Sequence, residues 1–185
     1  MKKTTSILAM IFLSAALQAS VNAAPEKVHE GSWHWVDDDL IRDDDGYAVS
    51  DTISTLDVTL VVFEKVVCGS YDGALGLRQP KSSSFDFIGF QSNGVAHVYF
   101  PNTFSGVPDD NGAANVDQKG ATLRWAITQE PKTEDYLFTN ETLAPIHSDR
   151  KEIKRLKEKC SAIARSFGDV NAQNAHRAVA RFNAY

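Results

Sequence analysis

His29-Glu30 with His34 is the first group whose residue types suggest chemistry, since paired histidines around a glutamate resemble the zinc-protease helix motif. That motif needs its histidines four apart so that both leave one helix face. Here they are five apart and sit beside Trp33 and Trp35 in a strand pattern, so no metal is assigned. Asp43-Asp44-Asp45-Gly46 resembles the middle of an EF-hand loop. With Gly46 at the sixth loop position, Ile41 and Thr52 fall where an acid and a bidentate Glu belong, and Asp109-Asp110-Asn111-Gly112 fails the same way at Val107 and Gln118. A solvated acidic loop is the default reading of both, with a looser oxygen site in the first as its rival. No Gly-x-Ser-x-Gly elbow is present. His97 and Asp86 fall on one face of a predicted hairpin as a base and its orienter, but no nucleophile accompanies them. No catalytic residue and no cofactor is assigned.

Cys68 and Cys160 are the two cysteines, and no Cys or His stands at ligand spacing around either. In an oxidising compartment they are most simply one bridge. That compartment is expected from the start of the chain, where Lys2 and Lys3, an apolar run from Ile7 to Leu17 and small residues at Val21 and Ala23 have the layout of a secretory signal peptide. Residues 1–23 are read as the leader and residues 24–185 as a single periplasmic or secreted domain. The apolar run is too short for a helical span, which takes about 20 residues.

Charge narrows the partner. The chain carries a formal −5, and loss of the leader's two lysines makes it −7. From Pro25 to His147 there are 20 acidic and 8 basic residues, whereas Ser148 to Tyr185 holds 9 basic and 4 acidic. An acidic body disfavours nucleic acid and favours a cationic partner. The candidate binding residues are Asp38, Asp39, Asp43 and Asp44 in one acidic stretch, and Phe104, Asp109 and Asp110 in a second segment rich in Gly, Asn, Asp and Pro. That second segment, Pro101 to Gly120, shows no periodicity and reads as a long loop.

The elements that position these groups follow from periodicity. Gly31 to Val36 alternates as a strand. Leu56 to Val67 is β-branched and reads as strand, although Ser54 with Asp57 imitates a helix capping box. Ser84 to Phe100 is a hairpin turning at Asn93-Gly94, which pairs Ser92 with Val95, Phe90 with His97 and Ile88 with Tyr99. Ala121 to Thr128 alternates, and a returning strand is expected from Tyr136 to Leu143. Asp149 and Glu152 open a helix with an apolar face at Ile153, Leu156, Cys160, Ile163, Ala164 and Phe167; Gly168 ends it, and a second helix is expected from Asn171 to Phe182.

These elements predict an α+β domain: an antiparallel sheet of five to seven strands carrying one or two C-terminal helices, stapled by Cys68–Cys160. Gly31-Ser32-Trp33 ahead of a run of strands, with a late helix and a C-terminal bridge, is similar to the lipocalin opening. In that family the tryptophan closes one end of a ligand-holding barrel, and the resemblance here covers three residues and a general layout. The expected function is a non-enzymatic envelope binding module, an inhibitor or immunity protein against a basic hydrolase or toxin. The alternatives are an enzyme with scattered residues and a carrier of a small apolar ligand.

Overall fold

Asn93 and Gly94 both adopt positive φ, 52° and 80°, the conformation a two-residue hairpin turn demands. This turn sets the register expected from the sequence, with Ser92 opposite Val95, Phe90 opposite His97 and Ile88 opposite Tyr99. The computed structural model describes residues 27–37, 41–42, 48–50, 54–75, 81–101, 111–131, 138, 140–168 and 170–184. The expected leader, residues 1–23, lies outside them.

In chain order the strands are β1 (Gly31–Asp37), β2 (Ile41–Arg42), β3 (Ala48–Ser50), β4 (Ser54–Phe63), β5 (Val66–Leu75), β6 (Lys81–Ser92), β7 (Val95–Phe100), β8 (Gly112–Lys119), β9 (Thr122–Gln129) and β10 (Asn140–Ile146). Helices α1 (Arg150–Phe167) and α2 (Ala175–Asn183) follow. All strands but β2 and β3, which pair with each other, form a closed antiparallel barrel in the order β1-β10-β9-β8-β7-β6-β5-β4.

The expected open sheet of five to seven strands is therefore corrected to an eight-stranded closed barrel. Two strands escaped the periodicity. Leu56 to Val67 is not one strand: it turns at Glu64-Lys65, Glu64 taking φ 56°, and Val66 begins β5. β8, Gly-Ala-Ala-Asn-Val-Asp-Gln-Lys, was hidden in the stretch read as loop because it has only one β-branched residue. Its extended form is imposed by the ladders it makes to β7 and β9. The returning strand is described from Asn140 to Ile146; Tyr136, Leu137 and Thr139 of its expected start lie outside the described residues.

The barrel interior is a matched set of large and missing side chains, as small barrels require. A Cβ at Gly69 would collide with the Phe87 ring, and one at Gly112 with the Phe100 ring. Tyr71, Phe85 and Phe100 stack in series with centroids 4.6 Å apart, and Trp125 closes on Tyr71 at 5.1 Å.

A second core lies outside the wall. The other faces of β4 to β6 present Val61, Val66, Cys68 and Ile88 to Leu156, Cys160, Ile163, Val179 and Phe182 of the two helices. This explains why both faces of the β6–β7 hairpin are apolar in sequence: one lines the barrel and the other is covered. Cys68 and Cys160 are bridged with Cα atoms 5.8 Å apart, fastening α1 to β5. The bridge is consistent with an oxidising periplasmic or extracellular setting. Asp149 caps α1 by accepting from the Lys151 N–H, and Gly168 ends it at φ 71°. Among the described residues no helix is long and apolar enough to cross a membrane.

Candidate functional site

The two ends of the barrel differ. At one end the strands are joined by two-residue turns, Glu64-Lys65, Asn93-Gly94 and Gly120-Ala121. This end is sealed by Trp33, 3% exposed, whose indole Nε1–H donates to the Ala121 carbonyl at 2.8 Å. The His29 N–H donates to Gln118 Oε1 at 2.9 Å and ties the entering chain to the same end.

At the other end, the mouth, every connection is long: 38–53, 76–80, 101–111 and 130–139. These segments contain eleven acidic and three basic residues, a net −8. Asp38, Asp39, Asp43 and Asp44 belong to the first and Phe104, Asp109 and Asp110 to the third. All seven lie outside the described residues. What the described strands fix is that both segments leave from and return to the mouth.

The mouth's inner wall can be followed in detail. Phe138, from the last of these connections, is 5% exposed; its N–H donates to the Tyr71 hydroxyl at 3.0 Å and its ring meets Trp35 edge-on at 5.0 Å. Glu141 pairs across strands with the interior residue Trp125 and so shares its face. The β1–β10 register, continued past His34 and Ala144, carries Asp37 opposite Glu141. Partial burial, and then the neighbouring Asp37 charge, push the Glu141 carboxyl above its ordinary pKa. The indole Nε1–H of Trp125, fully buried, meets no acceptor among the described residues. Strand alternation through Leu143 could have found an inward Glu141, which no motif singled out; nothing in the sequence marked Phe138.

The sequence-level dyad does not form. His97 Nδ1 pairs with Asn115 Oδ1 at 2.8 Å, and Asp86 faces α1, held by Arg155 and Lys159. His34 instead meets Asp57 across the outer face of β1 and β4 at 2.7 Å, 33% and 48% exposed, a pairing no motif suggested. No three His, Cys, Asp or Glu side chains converge as metal ligands among the described residues. No family model matches the chain, and no curated protein or solved structure does.

The four connections at the mouth carry a net −8 in sequence, the sign of charge that would attract cations. The interior of the opposite end is closed by Trp33, and the outer faces of β4 to β6 pack against the helices.

Proposed function

We propose that this protein is a non-enzymatic binding module acting outside the cytoplasm, and that its partner is a basic protein received on the barrel mouth. The partner class is a basic secreted hydrolase or toxin, with the chain acting as its inhibitor or immunity protein. The observation that carries this reading is the asymmetry of the barrel ends: tight turns at one, and four long connections with net −8 at the other. Interfaces draw on-rate from charge complementarity and affinity from a few buried anchors. Phe104 is the apolar candidate anchor in the acidic third connection.

The experiment is association kinetics against a panel of basic secreted hydrolases, lysozymes first, at several salt concentrations. Binding should weaken as the Debye length shortens to about 8 Å at physiological salt. Exchange of Asp38, Asp39, Asp43 and Asp44 for Asn should slow association more than it speeds release, with no loss of thermal stability. A partner whose association ignores both salt and these exchanges sinks the inhibitor reading.

A second reading, a carrier of a small apolar ligand, is favoured by the buried Trp125 indole N–H that lacks an acceptor. An orphaned buried donor costs about 1–3 kcal/mol, which a ligand oxygen would recover. Apolar ligands bearing an acceptor should then quench tryptophan fluorescence saturably; a flat titration removes this alternative.

A further inference from the structure

A groove runs along α1 on the outside of the barrel, away from the mouth. Its first opening, about 580 Å³, lies between the β1–β10 rim and the start of α1 and is lined by Gly31, Ile146, Arg150, Ile153 and Lys154 among others. The next, about 440 Å³, shares Glu30, Lys157 and Glu158 with it and continues to Phe63. A third, about 580 Å³, shares Phe63 and Arg165 with the second. The three openings thus lie in succession along α1 from Arg150 to Arg165, about 22 Å at 1.5 Å per residue.

The groove is amphipathic along its length. Ile146 is 46% exposed, one of two large hydrophobic residues so placed among the described residues, and it forms the floor beside Ile153. The charges above it are unevenly neutralised. Lys157 is held by Glu30 at 2.8 Å. Lys154 only approaches Glu158, at 3.9 Å with both side chains mostly in water. Arg150 has no ion pair among the described residues, so positive charge is left uncompensated at the Ile146 end.

We propose that this groove binds a single-chain anionic amphiphile of the fatty-acid type, its carboxylate on Arg150 and Lys154 and its chain over Ile146 and Ile153 toward Phe63. Charge complementarity selects the anionic head, and the exposed apolar floor selects the tail. An extended peptide fits less well. One wall is a helix whose backbone groups bond internally, and the other is the rim of the closed barrel, where Ser32 already pairs with Ile146, so a peptide's amides would be covered without partners. The site is separate from the barrel mouth and does not depend on the function proposed there.

The test is calorimetric titration of the mature, disulfide-intact protein with dodecanoate below its micellar concentration. The glycerol monoester of the same acid serves as the neutral control, and vesicles of anionic phospholipid as a membrane control. Dodecanoate should bind at one site and the monoester about tenfold more weakly or worse. Arg150→Glu with Lys154→Glu, and separately Ile146→Asp, should each weaken dodecanoate by about tenfold or more. All three positions are exposed, and unchanged circular dichroism would confirm that the variants fold. Glu141→Gln, at the mouth, should leave the affinity unchanged. The proposal is overturned if dodecanoate does not bind, if the monoester binds equally, if only the vesicles bind, or if Glu141→Gln alters the affinity while the groove variants do not.

Discussion

Arg155 of α1 grips Asp86 of β6 with both terminal nitrogens, at 2.7 and 2.8 Å across 69 residues of sequence. Lys159 adds a third contact to the same carboxylate at 2.8 Å, and Glu152 braces the guanidinium from behind at 2.6 Å. Ion pairs in the open are worth little, but Asp86 and Lys159 are only 14% and 15% exposed and the Arg155 fork is bidentate.

Asp86→Asn should therefore destabilise the protein by roughly 1–3 kcal/mol in urea unfolding, the partly wet Arg155 keeping the loss below that of a fully buried pair. Burial alone raises the Asp86 pKa, but the hydrogen bonds from Arg155 and Lys159 outweigh it and the net shift is downward from 3.8. The Arg155 hydrogen bond likewise lowers Glu152 from 4.5. Carboxylates depressed on folding stabilise the native state above their unfolded pKa and lose that contribution as pH falls through the folded value. Stability should thus decline from about pH 4.5 downward. The decline should be shallower in Asp86→Asn, and identical acid profiles for the two proteins would contradict this account.

Trp33 fills the sealed end and donates to Ala121, so its two contributions separate by substitution. Trp33→Phe keeps most of the apolar volume and should cost roughly 1–2 kcal/mol, largely the hydrogen bond. Trp33→Ala adds a cavity and should cost about 3–5 kcal/mol. Equal losses in the two variants would mean that ring packing does not hold this end shut.

The Cys68–Cys160 bridge closes a long loop, sequence separation 92. In the chain-entropy model that is worth on the order of 4–5 kcal/mol, and the melting temperature of the reduced protein should fall by roughly 10 °C. Amides of α1 should lose hydrogen-exchange protection before those of the barrel, because the helix layer is a core of its own. Uniform loss across both would show a single cooperative unit. Protein recovered from the periplasm or medium should also lack the leader and contain no alkylatable thiol.

Glu141 is pushed above 4.5 by burial and by Asp37. A carboxyl with a raised folded pKa holds its proton more tightly in the native state, so its ionisation costs stability above that folded value, and the cost vanishes below the unfolded one. Glu141→Gln should accordingly be neutral or stabilising at pH 7 and indistinguishable from the parent below about pH 4.5. Destabilisation at pH 7 would mean that the carboxylate has an attractive partner at the mouth.

Local chemistry was legible because it is local. Asn93-Gly94 set a hairpin register, Asp149 and Gly168 bounded a helix, and the spacing of Leu156, Cys160 and Ile163 announced the helix face that is buried. Two cysteines with no Cys or His at ligand spacing around either were enough to assign the bridge. Barrel closure was not legible, since it depends on β1 finding both β4 and β10, and no property of a strand by itself records its neighbours. β8 shows the same limit: its eight residues are strand because β7 and β9 leave it no other way to satisfy its backbone. The acidic segments could be read as charge, but only the alternation of short and long connections around a closed barrel sends them to one end. A surface acquires a direction when strands that are distant in sequence are bonded side by side.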